Sequence, residues 1–284
     1  MRKLGDRHVW PVAFGAMNLS LEGRPSRAQA HATLRAAVDA GVLLIDTADV
    51  YGEEGAPHHN EALVAEALGD FGGVLATKGG VLRQDGDWIH RGDPSYLREA
   101  CERSLRALGR SSIPLYQLHA VDRDVPIEES VGELVRLQDE GKVERIGVSN
   151  VDASQLERAL REAPLVSVQN EASPYVAPSA AVLSRCEVSG LAFLAYAPMG
   201  GWRAGKIAHE PLLQEIGRAY DLTPFEVVIA WLLSVSDALI PVAGASSPAN
   251  ARSSARAALT TLSAKDARRL TNHYWGAGYS DAPA

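Results

Sequence analysis

The feature that most restricts the fold of this chain is a regular alternation of short apolar runs with longer segments of helical periodicity. The short runs are rich in Leu and β-branched residues and are predicted as eight strands: Val12–Phe14, Leu43–Ile45, Val74–Ala76, Leu115–Leu118, Ile146–Ser149, Val166–Gln169, Ala192–Tyr196 and Leu239–Val242. Segments with a 3.6-residue apolar period lie between strands and are predicted as helices, among them Arg27–Ala40, Asn60–Leu68, Pro94–Leu108, Ile127–Glu140, Ala153–Leu160 and Thr223–Leu233. Strands that alternate with helices are joined by crossovers and run parallel.

Eight such units predict an α/β protein with a (β/α)8 TIM barrel. The alternative is an open doubly wound sheet, in which a GxGxxG fingerprint follows the first strand. The residues at that place read Phe14-Gly15-Ala16-Met17-Asn18 and lack the fingerprint. The length of 284 residues is close to the roughly 250 that a barrel needs. We therefore favour the barrel.

Three segments lie outside the strand–helix alternation. The runs Arg2–Leu4 and Val9–Val12 flank Gly5-Asp6 and predict an N-terminal β-hairpin that closes the N-terminal mouth of the barrel. Ser263–Tyr274 is predicted as an extra C-terminal helix, and Trp202–Pro211 as an irregular Gly-rich insertion long enough to act as a lid. Because no linker or repeat interrupts the chain, we expect residues 1–284 to form a single domain.

Composition and charge exclude several classes of protein. The net charge of −7 gives no support for binding to nucleic acid or to an anionic membrane. The N-terminus, MRKLGDRHVW, contains no apolar run for a signal peptide, and no stretch reaches the roughly 18 apolar residues of a membrane helix. Cys101 and Cys186 fit no metal or redox spacing and are predicted to be two reduced thiols. We expect a cytoplasmic protein.

Titratable side chains follow three successive predicted strands, at the end of a barrel where catalytic groups lie. Asp46 ends the second strand, Tyr51 lies in the loop after it, Lys78 follows the third strand and His119 follows the fourth. Each of these residues alone is more often a cap, a solvated charge or a structural histidine. Their joint occurrence favours a function, because burying Asp and Lys together is costly unless each is paired.

These four groups can polarise a carbonyl and deliver a proton. A phenol is a poor acid near neutral pH until a neighbouring ammonium stabilises its anion, and a carboxylate keeps that ammonium charged. A neutral His can bind the carbonyl oxygen. Because no side chain supplies hydride, a nicotinamide cofactor is implied. His58 and His59 are adjacent and do not share one face, so no metal site is predicted, although their loop could touch a substrate.

At these residues the chain resembles the aldo-keto reductase family. The stretch Gly41-Val-Leu-Leu-Ile-Asp46-Thr-Ala-Asp-Val-Tyr51-Gly52 matches the first signature of the family, and Glu140-Gly-Lys-Val-Glu-Arg-Ile-Gly147-Val-Ser149-Asn150 resembles the second. Ala76-Thr-Lys78 and Tyr116-Gln-Leu-His119 match the contexts of the family's lysine and histidine. The resemblance implies that Tyr51 is the general acid, Lys78 its pKa modulator, Asp46 the partner of Lys78, and His119 the residue that orients the carbonyl.

The resemblance also implies a binding site for the cofactor. Ser149, Asn150 and Gln169 would hold the nicotinamide carboxamide, and Tyr196 would stack on the ring, within a stacking segment that includes Ala197, Met199 and Gly200. The phosphate end follows the last strand and comprises Gly244, Ser246, Ser247, Asn250, Arg252 and Ser254. Many relatives carry a Lys and an Arg where this chain has Gly244 and Asn250. NADP is the cofactor that the resemblance favours, and NAD stays open.

Substrate walls in such barrels come from the loops after strands one, three and seven, where Met17, Trp88 and Trp202 lie. They suggest a small aldehyde or ketone with an apolar body as the partner. The leading interpretation is an NAD(P)H-dependent enzyme that reduces this carbonyl or oxidises the alcohol. The alternatives are a nicotinamide-binding regulatory subunit with little turnover and a non-redox phosphate-handling barrel enzyme. The sequence predicts neither the physiological substrate and direction nor the oligomeric state.

Overall fold

Eight parallel strands close into a barrel in the computed structural model of the chain, which describes residues 1–279. In chain order the strands are β1 (Arg2–Leu4), β2 (Arg7–Val9), β3 (Ala13–Gly15), β4 (Leu44–Asp46), β5 (Val74–Gly79), β6 (Val81–Gln84), β7 (Asp87–His90), β8 (Leu115–Leu118), β9 (Ile146–Ser149), β10 (Ser167–Glu171), β11 (Ala192–Tyr196) and β12 (Leu239–Gly244). The barrel runs β3-β4-β5-β8-β9-β10-β11-β12, and it closes where Val242 of β12 lies opposite Ala13 of β3. The predicted (β/α)8 barrel is confirmed.

Helices surround this barrel. They are α1 (Arg27–Asp39), α2 (His59–Leu68), α3 (Pro94–Leu108), α4 (Ile127–Asp139), α5 (Ala153–Glu162), α6 (Ala180–Ser189), α7 (Pro211–Tyr220), α8 (Pro224–Val235), α9 (Pro248–Arg256) and α10 (Ala264–Tyr274). Their ends follow from local chemistry. Asp93 caps α3 by accepting a hydrogen bond from the Tyr96 amide, Pro94 occupies the first turn, and Gly109 ends the helix with a φ of 62°. None of these helices is both long and apolar enough to span a bilayer.

The N-terminal hairpin closes one mouth of the barrel. Leu4 of β1 and Val9 of β2 are buried in the same apolar cluster as Leu44, Leu115 and Ile240, which line the barrel interior. A larger apolar layer separates the strands from the helices. Because the hairpin fills the end where the strands begin, the end where they terminate is left to carry a site.

Apart from displaced element ends, such as that of β5, which continues to Gly79 and includes Lys78, the predicted elements agree with the structure except at three places. The second hairpin strand is Arg7–Val9 instead of Val9–Val12, because Pro11 has no N–H to donate. The segment after β11 is a 3-10 helix over Gly201–His209, not an irregular insertion, and α7 begins at Pro211. The β6–β7 hairpin was not predicted, although Asp85-Gly86 is a strong turn signal and both residues have positive φ. The extra C-terminal helix is confirmed as α10.

The barrel wall leaves no space for a side chain at Gly79. A substitution at this position therefore tests the packing. A Cβ added there would lie 2.1 Å from the Tyr116 hydroxyl oxygen, which is buried and has no hydrogen-bonding partner among the described residues. We expect Gly79→Ala to lower the free energy of unfolding by about 1–3 kcal/mol in urea titrations.

Tyr116→Phe removes the nearest atom at little cost, so the double variant should regain part of the loss. Gly132→Ala is the control, because a Cβ at this position of α4 meets open space and Ala favours a helix. A Gly79→Ala protein as stable as the wild type would contradict this account of the packing.

Candidate active site

The four residues singled out in the sequence lie together at the carboxyl end of the barrel. Asp46 is the last residue of β4, Lys78 is the next to last of β5, and His119 follows β8 directly. The His119 amide donates to the Gly79 carbonyl at 2.8 Å, so the third and fourth barrel strands hold His119 beside Lys78. Tyr51 reaches the same place from the loop after β4. All four side chains are buried, with exposures of 9% or less.

The Lys78 ammonium is the centre of this cluster. It is fully buried and donates to the Asp46 carboxylate at 2.7 Å, to the Thr47 carbonyl at 2.9 Å and to the Tyr51 hydroxyl at 3.2 Å. Burial lowers the pKa of Lys78, but the Asp46 carboxylate and the Tyr51 phenol raise it. The net shift of the pKa is upward. The three acceptors match the three N–H bonds of an ammonium, so it can remain charged in the protein interior.

Asp46 is fixed from two sides. One carboxylate oxygen accepts from Lys78, and the other accepts from the Gln169 side-chain amide at 2.8 Å. Gln169 lies in β10 and is 123 positions away in the sequence. The closed barrel therefore joins the end of its second strand to the middle of its sixth.

The Tyr51 ring is enclosed by two other rings. The His119 ring packs edge-on against it, with centroids 5.7 Å apart and an interplanar angle of 82°. The Trp88 indole packs in a similar way, with centroids 6.4 Å apart. Burial raises the pKa of the Tyr51 phenol, while the positive charge of Lys78 acts in the opposite direction. The phenol is therefore protonated at neutral pH and can donate a proton.

His119 is held in its neutral form. Burial lowers its pKa well below the ordinary value, and the charge of Lys78 and the nearby His90 act in the same direction. Its Nδ1 is buried and has no hydrogen-bonding partner within residues 1–279. A neutral imidazole with an unpaired nitrogen is suited to binding a polar ligand atom.

Amide and hydroxyl groups lie at the ends of the next three strands. The Ser149 hydroxyl donates to the Gln169 carbonyl at 2.7 Å, and the Asn150 side-chain amide donates to the His119 carbonyl at 2.9 Å. The Tyr196 hydroxyl donates to the Asn150 side-chain oxygen at 2.8 Å. Asn150 has a φ of 57°, a left-handed conformation that Asn tolerates better than most residues. These bonds join the ends of β8, β9, β10 and β11 in one network.

The segment after β11 turns sharply beside this network. Ala197 has a φ of 47° and Gly200 a φ of 78°, and the Gly200 amide donates to the Ala197 carbonyl at 2.7 Å. A Cβ at Gly200 would lie 2.3 Å from the Tyr175 ring. Met199 packs against the main apolar layer. The segment thus holds Tyr196 at the rim of the barrel mouth.

The residues proposed for the phosphate end lie after β12, next to β3. Gly244 is the last residue of β12. The Ser246 carbonyl accepts a hydrogen bond from the Gln29 side chain, and the Ser247 side chain caps α9. The first turn of α9 holds no acidic residue. Asn250 and Arg252 are exposed and point to different sides of the helix, because they are two positions apart. Ser254 is half-buried.

The proposed substrate residues lie in different surroundings. Trp88 belongs to the β6–β7 hairpin and contacts the Tyr51 ring. Met17 begins a short 3-10 turn, Met17–Leu19, and is 37% exposed. Trp202 is 87% exposed in the 3-10 helix, with the Arg203 guanidinium over its ring. Of the three, Trp88 is the residue brought into contact with Tyr51.

Sequence reasoning missed a second buried group behind the four residues. Glu61, in the first turn of α2, is fully buried and accepts a hydrogen bond at 2.6 Å from the hydroxyl of Thr77, which precedes Lys78. The same carboxylate binds His58 Nδ1 at 2.6 Å, and His59 Nδ1 lies 2.8 Å from the Ser20 hydroxyl. His58, which precedes α2, and His59, the first residue of that helix, therefore anchor its N-terminus. An acidic residue one turn into a predicted helix is common, so only tertiary contacts distinguish Glu61.

The model of the aldo/keto reductase family matches residues 11–274 of the chain. An uncharacterized oxidoreductase of Schizosaccharomyces pombe is 32% identical over 269 residues, which cover 93% of this chain and 86% of that protein. An aldo/keto reductase from Klebsiella pneumoniae, solved with NADP and acetate, is 25% identical with a TM-score of 0.79, covering 93% of this chain and 91% of that one. A glycerol dehydrogenase from Gluconobacter oxydans shares the fold, with 24% identity, a TM-score of 0.83, and coverage of 97% and 95%.

The buried ion pair gives a direct test of how the cluster is stabilised. Asp46→Asn leaves the Lys78 ammonium buried without its carboxylate, and Lys78→Met leaves the carboxylate without its cation. Each variant should lose about 3–5 kcal/mol of the free energy of unfolding. The double variant should lose much less than the sum of the two, as a urea double-mutant cycle would measure. Additive losses would show that the two charges do not depend on each other.

The neutral state of His119 predicts a loss of stability in acid. Its pKa is lowered in the folded protein, so the stability it contributes is present above the unfolded value of about 6.5 and is lost as the pH falls below it, by up to about 1.4 kcal/mol per pH unit. His119→Asn should flatten the fall between about pH 7 and pH 5 in urea titrations.

Wild type must be compared with His119→Asn because a second buried group, Asp49, also changes the stability in acid. Burial raises the pKa of Asp49, which acts in the opposite direction in acid, so only the difference between the two proteins reports on His119. His209→Asn, in the exposed 3-10 helix, is the control. If the free energy of unfolding falls equally steeply with pH in wild type and in His119→Asn, this role for His119 is ruled out.

Proposed function

This chain belongs to the aldo/keto reductase family, and on that premise we propose that it reduces an aldehyde or a ketone to an alcohol with NADPH, or catalyses the reverse oxidation. The observation that carries the proposal is the Lys78 ammonium, which binds the Asp46 carboxylate and the Tyr51 hydroxyl at once. This arrangement is costly to bury and is suited to stabilising a phenolate during proton transfer.

Tyr51 is the proposed proton donor. Burial keeps its phenol protonated at neutral pH, so the proton is present when a carbonyl oxygen arrives. As the proton leaves, negative charge develops on the phenol oxygen, 3.2 Å from Lys78 Nζ. Lys78 stabilises that charge, and Asp46 and Gln169 keep the ammonium charged and in place.

His119 is proposed to orient the carbonyl. Its ring lies against the Tyr51 ring, and it is neutral because burial lowers its pKa. A neutral imidazole can donate one hydrogen bond to the carbonyl oxygen without competing with Tyr51 as an acid. The Asn150 amide, bound to the His119 carbonyl, keeps this strand end in position.

The residues present fit a nicotinamide dinucleotide. When bound, NADPH supplies the hydride. Ser149, Asn150 and Gln169 offer the hydroxyl and amide groups that a carboxamide needs, and Tyr196 offers a flat ring hydrogen-bonded in place beside them. The NADP complex of the Klebsiella pneumoniae relative supports NADP as the cofactor here.

The end of β12 is proposed to hold the cofactor phosphates. The N-terminus of α9 carries the positive end of the helix dipole, and its first turn has no acidic residue to repel an anion. Ser246, Ser247 and Asn250 surround that terminus, Gly244 lets the main chain approach closely, and Arg252 supplies a cation one turn on. Met17, Trp88 and Trp202 are proposed as apolar walls for the substrate.

Tyr51→Phe tests the assignment of the proton donor. It removes the hydroxyl and keeps the ring, so kcat for a panel of activated aldehydes should fall by about 100- to 10,000-fold, followed as loss of NADPH absorbance. NADPH and NADH affinities, titrated by fluorescence, should change little. Tyr116→Phe is the matched control, because its buried hydroxyl has no partner among the described residues. A fully active Tyr51→Phe protein would exclude this mechanism.

A further inference from the structure

A charged side chain that the proposed chemistry does not use lies beside Tyr51. Arg83 belongs to β6 and pairs with Trp88 of β7 across the hairpin. Its guanidinium carbon lies 5.5 Å from the centroid of the Trp88 ring, and the same indole packs edge-on against the Tyr51 ring. A molecule whose carbonyl reaches Tyr51 and whose body lies along Trp88 therefore extends toward Arg83.

The position of Arg83 is set by the protein itself. Its Nη1 donates to the Gly52 carbonyl at 3.1 Å and to the Glu22 carboxylate at 3.1 Å. The turn of the same hairpin is fixed by Glu54, which accepts from the amides of Asp85 and Gly86 at 2.7 and 3.1 Å. The hairpin is thus held against the loop that carries Tyr51, and the guanidinium is preorganised before a ligand binds.

One edge of this guanidinium is not used by these bonds. Both anchoring bonds are made by Nη1, while Nε is buried and has no hydrogen-bonding partner in the part of the chain that the structure describes. A buried unpaired donor costs free energy, and such donors in native proteins usually have a partner. The two acidic residues after Tyr51 bind elsewhere, since Glu53 pairs with Arg24 and Glu54 holds the hairpin turn.

We propose that Arg83 is a specificity-determining residue that binds a carboxylate of the substrate, and this proposal rests on the function proposed above. The Nε and Nη2 groups form a planar pair of parallel donors that matches the two oxygens of a carboxylate. The preferred substrates are then oxo acids: aldehydes or ketones whose carbonyl lies at Tyr51 and His119, whose body lies against Trp88, and whose carboxylate reaches Arg83.

The test compares one aldehyde with and without the negative charge. The holoenzyme with NADPH is assayed with 4-carboxybenzaldehyde and with its methyl ester, methyl 4-formylbenzoate. Wild type should prefer the acid, through a lower KM. Arg83→Gln should lower kcat/KM for the acid by about 10- to 100-fold and for the ester by less than about threefold. Arg83→Lys keeps the charge but loses the planar pair of donors. Its kcat/KM for the acid should therefore lie between the values of wild type and Arg83→Gln.

Three controls separate recognition of the carboxylate from a structural role of the hairpin. Glu22→Gln removes the exposed partner of Arg83 and keeps the guanidinium. The ratio of kcat/KM for the acid to kcat/KM for the ester should therefore stay the same or rise. Arg123→Gln removes an exposed cation from the loop after β8 and should leave both substrates unchanged. Added salt should raise KM for the acid more than for the ester, because it screens the charge interaction.

Each outcome bears on one proposal. Equal losses for acid and ester in Arg83→Gln, or no preference for the acid in wild type, would overturn the role of Arg83 and leave the reductase function standing. Failure of wild type to reduce either compound or any aldehyde of the wider panel would overturn the proposed function itself. A lower melting temperature of Arg83→Gln with the ratio unchanged would mean that Arg83 only anchors the hairpin.

Discussion

The buried charge of Lys78 is the interaction on which the rest of the site depends. A fully buried ammonium is stable only if acceptors replace the water it loses, and here the Asp46 carboxylate, the Thr47 carbonyl and the Tyr51 hydroxyl do so. Asp46 and Lys78 belong to neighbouring strands, whereas Gln169, which fixes the second oxygen of Asp46, comes from the other half of the barrel. The charge is therefore tolerated only in the closed barrel.

The same burial separates the roles of the neighbouring groups. Low exposure raises the pKa of Tyr51 and lowers that of His119, so the phenol retains its proton while the imidazole is neutral, with a single N–H. One environment thus holds two titratable groups in different protonation states at the same pH. Lys78 acts on both groups: its positive charge opposes the rise in the pKa of Tyr51 and adds to the fall in the pKa of His119.

Local sequence rules predicted most of the fold because they act over short distances. Strand and helix periods, the Asp93 cap and the Gly109 terminus need no tertiary contact, and the alternation of elements implies parallel strands. Asp46, Lys78 and His119 could be named because strand ends share one side of a barrel. Glu61 and Arg83 could not be named, since a buried carboxylate and an unpaired guanidinium edge look like ordinary surface charges in a sequence. Their significance comes from burial, which depends on packing between distant segments.

The sequence by itself determined the barrel, the family and the four residues at the ends of neighbouring strands, because these follow from period, order and motif. Only the tertiary structure decided the state of those residues: that Lys78 has three acceptors, that one oxygen of Asp46 is bound by Gln169 from across the barrel, and that a hairpin brings Trp88 and Arg83 to Tyr51. The physical reason is that pKa and hydrogen bonding depend on distance and burial in space. Order along the chain sets neither until the barrel closes.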